Sequence, residues 1–581
     1  MGIFTKLARD IFAPTDGGGN PRGADMGEAQ TWGTEVESYV SVNINPVDRT
    51  TMATLDPSLY PEVFLREIGR EGLFLWTSGD LSSSVTADPQ QGIYVPPSSD
   101  TTGASGAWVR QCNRLNPKWF GAKGDGATDD SVPLQAAIDL ALAEGRSIKV
   151  TVGTYLATFT KSFSSRFEII GKGAPIVKGA IELDGTFPVS ADTATPPDPT
   201  SAFLKISGID FQGNSASYAL TITAQASSSF IDTLDMNRCR FYGRFGFKAR
   251  NLTTVGLRDS WFYNTAKGLS AESCTNWSVT GCHWRNASQI GVEITVNASN
   301  PYRTGGESIR FSQCEWAVCT IGLQLDRHQW ASMENCLLDY CNLPINNIGS
   351  LHTKLARVYC GVSTMASLAA DSDYAAAPST NIAMLVKPEK VSTTIYVSGI
   401  IAKDCEFACY DSGSTQPVVL CDGYLSTDVG TFCQQIHFSA CKFIMTQSHT
   451  TSSLLSLSYC ANAHLLDNEF VSPNLSTGTL TAPYSLNNVT THTALNSDTT
   501  ICQESSVEIK PAYEEAHVSK IRMSDDSIGL EILNSAGDVI ARFSASGTDR
   551  FAAWTNGALK GYGTGAADSG GAGYKQVIVP N

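Results

Sequence analysis

Asp259 and Glu315 stand in the runs "LRDSWFYN" and "SQCEWAV". Two carboxyl groups facing one glycosidic bond supply the proton donor and the base, or the donor and the nucleophile, of glycoside hydrolysis. Trp261, His283, Arg238 and Arg240 lie in runs of the same kind. An indole face can stack on a sugar ring, while imidazole and guanidinium groups hydrogen-bond its hydroxyls. Asp259 and Glu315 are therefore the candidate catalytic pair, and Trp261, His283, Arg238 and Arg240 the candidate glycan-binding groups. Glu307, Asp326, Glu334 and Asp339 are further carboxylates of the region, and Arg310 joins Arg238 and Arg240 as a cation that a lyase would set against a uronate. Other chemistries lack their residues. There is no HExxH pair and no G-x-S-x-G elbow. In "GDGATDD" a calcium loop starting at Asp125 would need a glutamate where Ala136 stands. No metal and no cofactor is expected.

What would position these groups is a repeat. A triplet of cysteine, any residue and aromatic recurs at Cys239, Cys282, Cys314, Cys405 and Cys441, with degenerate copies at Ser260, Cys336 and Asn468. From Cys239 to Cys336 the steps are 21, 22, 32 and 22 residues. A period near 22 with insertions marks a solenoid. Each copy sits in a strand-like run, so cysteine and aromatic share the inner face and the middle residue faces solvent. Those middle residues are Arg240, Trp261, His283, Glu315, Leu337, Glu406, Lys442 and Glu469. Stacked coils lie about 4.8 Å apart, which makes Cys314/Cys336 and Cys319/Cys341 two ladders of buried thiols. A zinc site is the poorer reading, because C-x4-C is wider than the usual ligand spacing; disulfides between coils are the other alternative. On the same spacing Asp259 and Glu315, two coils apart, are separated by ~10 Å at the backbone. The loop "NASNPYRTGGE" would wall a groove beside this face, and "LDRHQW" would line a surface or an intersubunit contact.

The chain has 581 residues, 42% hydrophobic and 17% charged, with a net charge of −15 that argues against nucleic acid as a partner. No apolar run reaches the ~18 residues of a membrane span, and the first residues do not form a secretion signal, so a soluble product made in a cytosol is expected. Residues 1–115 lack the repeat and read as an arm with a small β-rich domain. Next, Asp129 or Asp130 can cap an amphipathic helix that Gly145 stops, and this helix would cover the open end of the solenoid. The solenoid runs over 116–472. In the last segment, 473–581, "GLEILNSAGDVIARFSASG" reads as a hairpin turning at Ala536-Gly537-Asp538.

"NPKWFGAKGDGATDDSVPLQAAIDLA", with Phe120-Gly121-Ala122, Gly124-Asp125-Gly126 and Asp129-Asp130 ahead of the helix, resembles the bacteriophage tailspikes of the pectate-lyase-like group. "GAWVRQ" looks like the end of a small virion-proximal domain, and "GAGYKQVIVPN" is similar to the ends of phage tail proteins. The resemblance implies an all-β chain: a right-handed parallel β-helix with a short N-terminal capping helix, flanked by small β-rich domains. It also implies a homotrimer located in the virion, docked through its N-terminal domain to tail, baseplate or neck proteins, with a host surface polysaccharide as partner and no membrane insertion. It supplies no catalytic residue. Two functions follow as expectations: a spike that recognises and depolymerises a host glycan, or a non-catalytic structural or adhesive spike at the neck, collar or baseplate.

Overall fold

The computed structural model describes residues 48–185, 203–224, 233–296, 306–363, 381–410, 414–425, 432–446 and 453–471, residues 30, 46 and 489, and separate strands from Tyr484 to Gly563. The loop 297–305, the turn at 536–538 and the segment 564–581 lie outside the described residues. The chain forms two compact units, residues 1–220 with 231–239, and residues 221–230 with 240–581.

In the first unit a four-stranded antiparallel sheet runs in the order Glu62–Leu65, Gly72–Ser78, Gly106–Arg110, Tyr94–Val95. Arg110 is buried in it. Its guanidinium lies 4.4 Å from the ring centres of both Phe74 and Trp119 and donates to the carbonyls of Gly92, Arg70 and Glu71. Burying a cation is tolerable only with coordination of this kind. Because Trp119 belongs to the 3-10 turn Pro117–Phe120, this contact bolts the start of the solenoid to the sheet. Tyr94 adds a 2.6 Å hydrogen bond to Glu144 at the end of the helix Ser131–Glu144.

That helix buries Leu134, Ala137, Ile138, Leu140 and Ala141 and ends on Gly145 at φ 65°, as read from the sequence. Its start departs from expectation. Asp130 makes no capping bond to the helix; its carboxylate accepts the N–H groups of Lys123 and Gly124 at 2.6 and 3.0 Å, folding the glycine turn back on itself. Asp129 accepts from Ser131, and Asp125 accepts from Ala127 and Thr128, so "GDGATDD" engages its own carboxylates along the short exposed strand Asp125–Asp129, which pairs with Thr154–Phe163. Behind the helix, parallel strands Ser147–Thr151, Phe167–Lys172 and Phe203–Ser207 form one wall and Thr154–Phe163 and Ile176–Gly185 another. The interior holds an apolar cavity of about 30 Å³ lined by Leu134, Ile138, Phe159 and Ile181, far too small for a sugar.

The second unit is a parallel β-helix of successive coils. One wall stacks Thr253–Arg258, Thr275–Thr280, Glu307–Ser312, Ser332–Glu334, Thr353–Ala356, Ser398–Lys403, Cys433–Ser439 and Cys460–Leu466. The other stacks Trp261–Glu272, His283–Thr295 and Glu315–Asp326, continuing through Leu337–Cys341, Tyr359–Val362, Glu406–Cys409, Lys442–Met445 and Glu469–Val471. Cysteine and aromatic point inward as the triplet requires. Phe262, Trp284 and Trp316 stack face to face, with centroids 5.3 and 4.6 Å apart. Ser260, Cys282, Cys314, Cys336, Cys405, Cys441 and Asn468 form the adjoining buried column. Asn468 fits because its amide is satisfied on both sides, accepting from Cys441 N–H and donating to the Phe438 carbonyl, both at 3.0 Å. One coil escapes the triplet reading: Val358 occupies the cysteine place and Cys360 the aromatic place, in register with Leu338 and Phe407.

The residue before each inward cysteine position turns the corner between the walls. Asp259, Gln313, Asn335, Arg357, Asp404, Ala440 and Asp467 all have φ between 48° and 54°, and Gly281 has 62°. Towards the other end of the chain, Gly529–Leu533 and Val539–Ser544 pair antiparallel within a six-stranded sheet, the hairpin expected there.

Two outcomes follow from this packing. Trp316→Ala removes a fully buried ring from the stack and should destabilise the fold by about 3–5 kcal/mol, read by chemical denaturation. Every described cysteine is a free thiol and all but Cys112 are buried. Alkylation without reductant should therefore leave these thiols largely unmodified in the native protein and label them once it is unfolded. A mass deficit in the unfolded sample would reveal disulfides instead.

Candidate functional site

The outward columns of the second unit carry the polar and aromatic chemistry. Trp261, His283, Glu315, Leu337, Tyr359 and Glu406 are consecutive register partners and form one column. Two residues further along each strand, Tyr263, Arg285, Ala317 and Asp339 form the next. Trp261 is 41% exposed and stacks on the His283 ring with centroids 4.1 Å apart and planes 21° from parallel. His283 Nδ1 lies 3.1 Å from Glu315 Oε2, and Arg285 Nη2 donates to Glu315 Oε1 at 2.9 Å. Partial burial pushes the Glu315 carboxyl upward, but the bonds and charges of Arg285 and His283 together outweigh it and hold the group below the usual glutamate value. Glu315 is a committed carboxylate.

Asp339 has the opposite environment. Partial burial raises its carboxyl, the N–H of Tyr340 at 2.9 Å partly offsets this, and the negative charge of Glu315 raises it further. Its carboxyl is held above the usual aspartate value. Asp339 sits against Gly361, where any Cβ would come within 2.6 Å of Asp339 Oδ1 and 2.9 Å of the Tyr359 ring. Glycine at 361 is what admits both side chains. The Tyr359 and Tyr410 hydroxyls are in contact, and burial followed by that contact raises the Tyr359 phenol. Between Arg285 and Asp339 stands only the methyl group of Ala317, so the two charged side chains are walls over a low floor. Strand spacing and rise put Glu315 and Asp339 on one face, roughly 8 Å apart at the backbone.

The structure thus brings together Arg240, Trp261, His283 and Glu315 from the expected set in one column. Asp259 is exposed and belongs to the corner column with Gly281, whose Cβ would approach Asp259 Oδ1 to 2.8 Å, rather than to the column of Glu315. Arg240 is the exposed register partner of Trp261. Arg238, at φ 51°, is an exposed corner residue of the first unit. Arg285 was missed although alternation after His283 points it outward; Tyr359 was missed because its coil has no cysteine-aromatic triplet.

"LDRHQW" divides. Trp330 is 46% exposed and stacks on His352 at 4.2 Å, as a surface group should. His328 instead points inward, wholly buried, and burial pushes its imidazole down to about 4, so it is neutral. Among the described residues no group of three or more His, Cys, Asp or Glu side chains is placed to hold a metal ion, and no helix is long and apolar enough to cross a membrane.

No curated protein matches the sequence. Similar solved folds include the gp42 tailspike of Acinetobacter phage vb_AbaP_AS12 (10% identity, 92% of this chain and 95% of that one, TM-score 0.45). They also include full-length tailspike protein 2 from an Escherichia coli O157:H7 bacteriophage (10% identity, 89% and 66%, TM-score 0.45). The A-module of the Azotobacter vinelandii mannuronan C-5 epimerase AlgE4 is a third (12% identity, 65% and 99%, TM-score 0.42). Residues 115–336, from the start of the solenoid to the third coil of the Trp261 face, match the family described as rhamnogalacturonase A/epimerase, pectate lyase-like.

Proposed function

We propose that this protein is a homotrimeric phage virion spike. Residues 1–115 attach it to the particle, 116–472 form the shaft, and 473–581 close the trimer or touch the host. The shaft binds a host surface polysaccharide on the face of Trp261, His283, Glu315 and Arg285, and cleaves it there. One observation carries the reading: an exposed indole, an imidazole, a guanidinium and two carboxyl groups of opposite disposition share adjoining columns over the Ala317 floor. Asp339, raised above the usual aspartate value, suits the donor and Glu315, held below its usual value, the base that activates water, the division of roles that hydrolysis by a carboxyl pair requires. Asp259 remains the alternative partner of Glu315. The second reading, a non-catalytic structural or adhesive spike at neck, collar or baseplate, is favoured by Glu315 having both oxygens already engaged.

The test uses purified neutral and uronate-containing bacterial surface polysaccharides. Binding and release of oligosaccharides are expected. Trp261→Ala should weaken binding about tenfold, equal to about 1.4 kcal/mol, and Asp339→Asn should keep binding while lowering cleavage by about 10²–10⁴. Activity lost in Asp259→Asn but kept in Asp339→Asn would move the donor to Asp259; bound but intact polysaccharide would select the non-catalytic reading. Light scattering at micromolar concentration should give the mass of three chains, and a monomer would end the spike assignment.

A further inference from the structure

Between the strand Met384–Lys387 and the wall strand Ser398–Lys403 the chain forms a hairpin, Glu389–Val391 paired antiparallel with Thr394–Tyr396, which is a two-stranded sheet of its own. It lies on a coil corner. A Cβ on Gly349 would meet the Cβ atoms of Tyr396 at 2.8 Å and Glu389 at 3.3 Å and the Arg327 side chain at 3.3 Å, so glycine there lets the hairpin approach. Arg327 is the anchor, with its guanidinium 5.9 Å from the centre of the Tyr396 ring.

The hydrogen bonds at this anchor do not balance if every carboxyl group is ionised. Arg327 donates from Nε and Nη2 to the two oxygens of Asp326 at 2.7 and 2.8 Å. Glu389 Oε2 stands 2.9 Å from the same Nε, whose single N–H is already given to Asp326. That oxygen is buried and receives no hydrogen bond. One proton between Glu389 and Asp326 resolves the arrangement: a Glu389 hydroxyl donates to Asp326, and one net negative charge faces one guanidinium. Burial first, then the bond to Asp326 and its charge, raise the Glu389 carboxyl to about 7, against the lowering charges of Arg327 and Lys387.

We propose that the hairpin Glu389–Tyr396 is a proton-held latch, docked on the Arg327 corner while Glu389 and Asp326 share a proton and loosened when both are ionised. The groups that face Glu389 are Asp326 and Arg327 from the corner and Lys387 and Tyr396 from the hairpin and its base. Of these, Glu389 is the group raised towards neutrality. Because the docked state raises the Glu389 value, the latch contribution is complete below the ordinary 4.5 and is lost as pH rises through about 7. The corner that the latch covers, Arg327 and Gly349, opens the two runs that end in the exposed Trp330–His352 stack. Release of the hairpin therefore alters the surroundings of a second aromatic surface.

The experiment is hydrogen exchange by mass spectrometry on the intact chain, following peptides that cover 387–397 from pH 5.5 to 9 and correcting for intrinsic exchange. Protection of the unsubstituted chain should fall by up to about tenfold per pH unit, the limit for one proton, across the part of this range below about pH 7, and then level off once the docked Glu389 is also ionised. Glu389→Gln, whose amide donates to Asp326 at every pH, should hold protection level throughout. Level protection in the unsubstituted chain, or an equal fall in Glu389→Gln, overturns the latch. Arg327→Met should abolish protection of the hairpin at all pH values while the coil strands keep theirs; full protection without this guanidinium overturns the anchor.

Discussion

Every other feature of this molecule depends on the parallel hydrogen-bond register between successive coils. Once a strand is locked to its neighbour about 4.8 Å away, a side chain has no choice of neighbours along the stack. It meets the residue in the same place one coil earlier and one coil later. Inward columns must then keep a nearly constant volume, which is why thiol, hydroxyl and isopropyl groups interchange at Ser260, Cys282, Val358 and Cys405. Asparagine enters the same column at 468 only because the neighbouring backbone satisfies its amide on both sides. The aromatic column obeys the same rule, with flat rings stacked at 4.6 to 5.3 Å through Phe262, Trp284 and Trp316.

The corners are the second consequence. To pass from one wall to the other in a single residue the backbone adopts the left-handed conformation at Asp259, Gln313, Asn335, Arg357, Asp404, Ala440 and Asp467. Such residues cost of order 1–2 kcal/mol each without glycine, and polar Asp and Asn, which tolerate this region best, hold four of the seven places. The corner also separates chemistry. Asp259 and Trp261 are two apart in sequence, yet they belong to different columns because the turn lies between them. Sequence alternation treats both as outward and so pairs Asp259 with Glu315 more closely than the corner does.

What the sequence revealed and what it hid follow from this geometry. The cysteine-aromatic triplet was legible because inward positions are chemically uniform and recur at the coil length. From it the exposure of Trp261, His283 and Glu315 could be read directly, and Arg285 follows by one more step of alternation. The coil at Val358 was hidden because the two inward residue types exchange places, with Cys360 standing where an aromatic is usual. Asp339 was visible only as a carboxylate of the region. Its importance rests on the small Ala317 beside it and on Gly361 beneath it, and neither small residue announces itself in a single sequence. His328 misled for a related reason: it sits after a corner residue, Arg327 at φ 58°, which reverses the side that alternation would assign.

Column order also sets acidity. Glu315 and Asp339 are both partly buried carboxyl groups on one face, and desolvation alone would raise both. They diverge because Glu315 follows a coil that supplies His283 and Arg285, whereas Asp339 follows the coil that supplies Glu315 itself. Cations on the preceding coil lower the first group, and the charge so stabilised raises the second. At Arg327 the same adjacency works across the wall and the hairpin, where two carboxyl groups compete for one N–H. In a solenoid, then, the proton affinity of a group is written about one coil away in the sequence. A substitution some 22 residues distant can change it as directly as a substitution at the group itself.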